Sequence, residues 1–250
     1  MGAQQDPLNY PVTGASYLMS HPNLWKYVIC LLCSCLSLSL VIMIILFATA
    51  FSKQAESFNS LIGGDEDDVS ILSYALSGLA VFLETFVLTT LVMKKAIKLA
   101  QRKIWLAIMR DKECYDTSWT EPPEFGCEFG LSFAFVLKFV TLPLNLVPIF
   151  GTLFFSVLNA TLLAWEYNEF YFSVLNLSDR ARKERVLGGG SLTSFNLENG
   201  FFRFGFMATM LEMVPIAGPT FFTLGNACGV ALWNCDLERE KGGKGPGPAP

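Results

Sequence analysis

The amino-acid sequence predicts an all-α integral membrane protein with two long transmembrane helices and two repeated helical hairpins, re-entrant in the economical reading. Three observations lead there. The 18 Lys/Arg and 22 Asp/Glu residues of the 250-residue chain are unevenly spread. Windows 25–51, 69–93, 129–165 and 201–235 contain only Lys26, Glu84, Lys138, Arg203 and Glu212. The first two windows are uninterrupted apolar runs, whereas the last two are broken near their middles by proline and glycine. A charged fraction of 16%, against roughly 25% in ordinary soluble domains, excludes a soluble globular domain. A hydrophobic fraction of 52% likewise excludes a disordered chain or a secreted disulfide scaffold. The net charge of −4 gives no sign of a nucleic-acid partner.

Residues 1–24 form a cytosolic N-terminal segment without the basic region of a cleavable signal peptide, so the first apolar run reads as a signal anchor. As helices, 25–51 would extend about 40 Å and 69–93 about 37 Å, against roughly 30 Å of hydrocarbon. Tyr10, Tyr17, Trp25 and Tyr27 form an interfacial aromatic belt. The only histidine, His21, lies in a Ser-His-Pro-Asn turn and suits a capping role. Cys30, Cys33 and Cys35 read as small thiols of a lipid-facing span, with acylation of Cys30 as the alternative. The 52–68 stretch sets Lys53 against Glu56, Asp65, Glu66, Asp67 and Asp68, a solvated acidic loop without the alternating spacing of a calcium site. After the second span, residues 94–110 align Ile97, Ala100, Ile104, Ala107 and Ile108. That face suits either an interfacial helix or one packed on the ends of the hairpins. Glu84 and Lys138 are a candidate ion pair within the bundle.

The last two windows differ in kind. Their leading arms, 129–142 and 201–214, would be about 21 Å long as helices, and the trailing arms, 149–165 and 216–233, about 26 Å. The leading arms are too short to cross a bilayer comfortably. Hairpins that dip in and return are the economical reading; full spans joined by a tight turn are the alternative. Re-entrant tips require cover from protein or water. A shift of 67 residues superimposes Val147-Pro148-Ile149 on Val214-Pro215-Ile216, Gly151 on Gly218, Phe154-Phe155 on Phe221-Phe222, and Asn159-Ala160 on Asn226-Ala227. Repeated hairpins imply pseudo-symmetric packing, with any site at the repeat interface. Each break also starts a new helix whose free N–H groups could receive an anion. The candidate hairpin-tip or pore site is therefore Asn145, Pro148, Gly151, Asn159, Glu212, Pro215, Gly218 and Asn226. Glu212 is either a functional carboxylate or a structural acceptor, and Asn159 and Asn226 either bond across helices or bind a ligand.

Basic runs set the orientation. Lys94, Lys95, Lys98, Arg102 and Lys103 follow the second span, and Arg180, Arg182, Lys183 and Arg185 follow the first hairpin. The positive-inside rule places both segments and both termini in the cytosol. The sequons at Asn159 and Asn176 then stay unglycosylated, and Cys114 and Cys127 stay reduced. Gly188 to Gly190 precede no phosphate-binding lysine and read as a linker, and the Gly/Pro-rich tail 242–250 reads as disordered. Nothing in the sequence combines a nucleophile with a base or assembles metal ligands, so neither an enzyme nor a cofactor is expected.

The stretch FGFMATMLEMVPIAGPTFFTLGNACGVALWNCDLE (204–238) resembles a fungal family of outer spore wall and lipid-droplet membrane proteins. Leu211, Glu212, Pro215, Asn226, Gly229, Ala231, Leu232, Trp233, Asp236 and Glu238 carry that resemblance, with YPVTGASYLMSHPNLW (10–25) at the other end of the chain. Gly225 and Val230 depart from it, standing where the family has Thr and Ala. The twin Val-Pro-x-x-Gly hairpins are similar to the broader superfamily of the bacterial sulfate permease CysZ and the etoposide-induced protein of the endoplasmic reticulum. This likeness implies a single CysZ-like helical membrane domain over 25–241. The expected function is a non-enzymatic protein of the endoplasmic reticulum and lipid-droplet system that organises membrane or recruits partners. The alternative is a permease or channel for a small anion such as sulfate. The lipid bilayer is the expected partner, while protein partners and homo-oligomerisation are left open.

Overall fold

A computed structural model describes residues 5–62, 70–116, 118–119, 121–122, 150–188, 198–214 and 217–241. Every regular element among them is helical. After a 3₁₀ turn at Pro7–Asn9 come α1 (Tyr10–Ser20), α2 (Pro22–Thr49), α3 (Phe51–Ile62), α4 (Ile71–Asp111) and α5 (Phe150–Val174). Then follow α6 (Asp179–Leu187), α7 (Gly200–Glu212), a π-helical turn (Gly218–Phe222) and α8 (Thr223–Lys241). The chain divides into two compact units, one made of Met1–Val28 with Lys98–Pro250 and the other of Ile29–Ile97.

In the Ile29–Ile97 unit, α2 and α4 are both long and apolar enough to cross a membrane. Their large apolar side chains point outward: Leu36 is 62% exposed, Ile44 59%, Phe82 62% and Val92 59%. Polar bonds join helices of this unit. Ser39 Oγ donates to Thr89 Oγ1 at 3.1 Å, and Gln54 Nε2 donates to Glu84 Oε1 at 2.9 Å. The expected partner of Glu84, Lys138, lies outside the described residues.

The expectation of a solvated loop beginning at residue 52 is corrected over Phe51–Ile62, which is α3. Ala55 and Asn59 recur at helical spacing and are 1% and 3% exposed. Asn59 Oδ1 accepts the Ser70 N–H at 3.0 Å and the Ser73 hydroxyl at 3.3 Å, and Phe51 stacks on Tyr74 with centroids 6.0 Å apart. A polar helix face and two ties to the start of α4 outweigh the loop-like composition.

The other unit is a tightly packed bundle. Helices α5 and α7 run antiparallel, with Gly205 against Ala160, Tyr167 6.1 Å from Phe204 and Phe172 6.0 Å from Phe201, ring centre to ring centre. A Cβ built on Gly205 would overlap the Ala160 carbonyl, so only glycine permits this crossing. Helices α1 and α8 also run antiparallel, and Gly14 lies on the backbone of Gly225 and Gly229. These last two are four residues apart on α8, the small-residue spacing that lets helices meet closely where lipid supplies no hydrophobic drive. Trp233 joins the two layers, 4.9 Å from Phe201, 5.5 Å from Phe204 and 6.2 Å from Tyr10. The N-terminal segment belongs to this core: Asp6 pairs with Arg203, and the Tyr10 hydroxyl donates to Asp236 Oδ2 at 2.7 Å.

The final turns of α4 are core rather than interfacial. Ile104, Trp105 and Met109 are fully buried, and Lys98 forms an ion pair with Glu169 of α5. Helix α5 continues past Trp165 to Val174 and carries Glu169, the partner of Lys98, in its last turns. His21 caps α1, its Nδ1 lying 2.8 Å from the Tyr17 carbonyl and its ring stacked on Tyr17.

Two tests follow from this packing. Gly205→Ala should destabilise the protein by about 1–3 kcal/mol, because the overlap is with backbone. Gly78→Ala, where a Cβ meets no atom within 4 Å, should be neutral or stabilise by up to about 1 kcal/mol. Thermal unfolding in detergent micelles compares them; equal effects would contradict the crossing. The Tyr17 phenol is pushed up from 10.0 to about 12, first by burial and then by the Asp111 charge. The fold thus favours neutral Tyr17. Its contribution is complete below pH 10 and lost as pH rises toward 12. Alkaline titration of Tyr17→Phe should show a shallower loss of stability across that window.

Candidate functional site

The break between α7 and α8 lies where proline and glycine predict it. Helix α7 stops at Glu212, and Pro219, which has no N–H, occurs at the second position of the π turn. This turn closes through Phe222 N–H to the Ala217 carbonyl at 3.0 Å and Thr223 Oγ1 to the Gly218 carbonyl at 3.0 Å. Gly218 rests on the Glu212 carbonyl, where a Cβ would overlap. Beyond the break the arms return antiparallel, Asn226 opposite Ala208 and Trp233 opposite Phe204.

Glu212, Gly218 and Asn226 come together at this tip. The Tyr167 hydroxyl of α5 donates to Glu212 Oε1 and also lies 3.0 Å from the Thr223 carbonyl. Asn226 Nδ2 lies 3.1 Å from the same Oε1 and 3.1 Å from the Ala208 carbonyl. Both neighbours of Nδ2 are acceptors, which fixes the orientation of the amide. Asn226 Oδ1 is buried without a hydrogen-bond partner among the described residues. The tip therefore gathers oxygen acceptors: a carboxylate, an amide oxygen and the carbonyls of Ala208, Gly218 and Thr223. Such a surface repels an anion and suits donors.

Two of the remaining candidates, Gly151 and Asn159, lie on α5. Gly151 is buried in the first turn of α5. Asn159, 1% exposed, donates from Nδ2 to the Phe155 carbonyl of its own helix at 2.9 Å. Asn145, Pro148 and Pro215 lie outside the described residues. Sequence reasoning missed Tyr167, which follows the apolar window and is flanked by Glu166 and Glu169, so it reads as surface. Ser156 was missed too; its hydroxyl lies 3.2 Å from Met210 Sδ and 3.4 Å from Met213 Sδ.

The Cys114 expectation is corrected here. Rather than staying apart as a reduced thiol, Cys114 is bonded to Cys235 of α8, with Cα atoms 5.3 Å apart. Spacing could not reveal this pairing across 121 residues, because α4 and α8 meet only in the folded bundle. Among the described residues no group of three or more His, Cys, Asp or Glu side chains is arranged to hold a metal. Comparison with models of known protein families and with curated proteins gives no match.

The cluster makes a quantitative statement about coupling. Tyr167→Phe should cost about 1–3 kcal/mol, because it removes a donor to a carboxylate. Tyr167→Phe and Glu212→Leu together should cost less than their sum by at least about 0.5 kcal/mol. Thermal unfolding of the two single variants and the double variant checks this, and strict additivity would mean that the shared bond contributes nothing.

Proposed function

We propose that this chain is a non-enzymatic integral membrane protein of the endoplasmic reticulum, with lipid-droplet association, that organises membrane or recruits partners. The supporting observation is the internal occupation of Glu212. Its carboxylate is engaged by the donors Tyr167 and Asn226 of the same chain, which leaves these groups committed to Glu212. A hairpin tip built this way is a latch between helices. The outward apolar faces of α2 and α4 give such a latch a bilayer to act in. Two full spans fit a bilayer and not the monolayer of a droplet, which favours the endoplasmic reticulum as the main location. In this reading the hairpins are re-entrant, and both termini and segment 166–200 are cytosolic, as the basic runs at 94–103 and 180–185 require.

The second reading, a CysZ-like permease for a small anion, rests on the paired helix breaks. It requires free donors at the tip, whereas the donors Tyr167 and Asn226 are taken up by the Glu212 carboxylate. Reconstitution separates the two. Wild type and Glu212→Gln in liposomes should give no radiolabelled sulfate uptake above empty liposomes, and the variant should unfold at lower temperature, by about 1–2 kcal/mol in stability. Sulfate uptake that rises in Glu212→Gln would overturn the latch, since removal of the charge favours an anion. Topology is checked independently: Arg182→Cys should react with an impermeant maleimide from the cytosolic side of sealed microsomes. Lumenal labelling would reject the cytosolic placement.

A further inference from the structure

We infer that Cys114 and Cys235 form a peroxide-responsive thiol switch that clamps α8 to the end of α4. Four observations carry this. The two sulfurs come from positions 121 residues apart, yet their Cα atoms lie 5.3 Å apart, inside the range a disulfide spans without backbone movement. Their accessibility is unequal: Cys114 is partly exposed beyond the last turn of α4, while Cys235 is 1% exposed on α8. The remaining described cysteines, Cys30, Cys33, Cys35 and Cys228, are free. Finally, the basic run of α4 that leads to Cys114 belongs on the cytosolic face, where a thiol pair is held reduced unless an oxidant acts. The switch rests on that cytosolic placement, and not on the role of the hairpins.

The asymmetry assigns the steps. The exposed Cys114 thiolate attacks hydrogen peroxide; an S–O bond forms, the O–O bond breaks, and hydroxide leaves with Cys114 as the sulfenic acid. The buried Cys235 sulfur then attacks Cys114; an S–S bond forms, the S–O bond breaks, and water leaves. In sum, two thiols and one peroxide give one disulfide and two waters. A cellular dithiol or glutathione returns the pair to thiols by exchange, and is itself oxidised to its disulfide.

The covalent bond matters because the other ties at this place are slight. Arg239 Nη2 reaches the Lys112 carbonyl at 3.2 Å, the Tyr17 hydroxyl reaches Asp111 Oδ2 at 3.4 Å, and the Lys112 ammonium is 5.5 Å from the centre of the Tyr17 ring. Oxidation closes a ring containing α5, α6, α7 and α8 as far as Cys235, which restricts the unfolded chain strongly. Reduction leaves the segment after α4 held by these contacts and by the burial of Ile104, Trp105 and Met109.

The test traps thiols in intact eukaryotic cells expressing the full chain, by acid quench and N-ethylmaleimide, and reads each cysteine by mass spectrometry. Cys114 and Cys235 should be mostly alkylated at rest, mostly cross-linked after a peroxide pulse, and alkylated again on recovery, with Cys228 unchanged throughout. In Cys235→Ser, peroxide should leave Cys114 as a sulfenic acid that dimedone captures. Purified wild type should melt about 5 °C or more higher oxidised than reduced, a difference absent in Cys114→Ser. A pair that stays reduced under peroxide would overturn the proposal. So would a pair fully oxidised at rest: with Arg182→Cys still labelled from the cytosol this rejects the switch alone, and with lumenal labelling it rejects the cytosolic placement as well.

Discussion

A carboxylate at a helix break in an apolar hairpin must find donors inside the protein, because apolar surroundings offer none. Glu212 is that group, and two of its donors stand on different helices. Tyr167 reaches it from α5 and Asn226 from α8. Each also contacts a backbone carbonyl: the Tyr167 hydroxyl lies beside Thr223 O, and Asn226 Nδ2 beside Ala208 O. One carboxylate thus ties three helices together through donors that also lie beside backbone carbonyls. Replacement of any member strands a buried polar atom, which is why the arrangement works as a unit.

Such reach demands close helices, and small residues provide them. Gly205 lets α7 lie on α5 at Ala160, and Gly14 lets α1 lie on α8 at Gly225 and Gly229. Around these crossings the aromatic rings occupy the wider spaces, with Trp233 against Phe201, Phe204 and Tyr10. Close contact at glycine and wide contact at tryptophan set the spacing of the helices. The polar atoms of the tip meet because both are satisfied together.

The Ile29–Ile97 unit obeys the opposite rule. Its long helices hold large apolar side chains outward; Ser39 and Thr89 bond α2 to α4, and Gln54 of α3 bonds Glu84 of α4. Contiguous apolar surface on this scale is unusual for a water-exposed monomer. Hydrogen bonds between helices then provide specificity where dispersion alone is indifferent to register. The chain therefore combines two helices long and apolar enough to cross a membrane with a bundle joined by internal polar contacts.

What the sequence determined by itself was the helical class, the two long apolar elements and the break between Glu212 and Gly218, because each follows from local chemistry. An unbroken apolar run, a missing proline N–H and a glycine at a close approach act within a few residues. Glu212 and Asn226 were also legible as candidates, since an uncommon polar group in an apolar window is conspicuous. Tertiary structure decided the rest. Tyr167 became the partner of Glu212, Lys98 the partner of Glu169, Gln54 the partner of Glu84 and Cys235 the partner of Cys114, across separations of 30 to 121 residues. It also turned Phe51–Ile62 from an expected loop into α3 and drew Trp105 and Met109 into the core. The physical reason is shared by all of these: a side chain's partner is set by which helices cross and how closely, and a crossing depends on glycine-sized contacts between segments far apart in the chain.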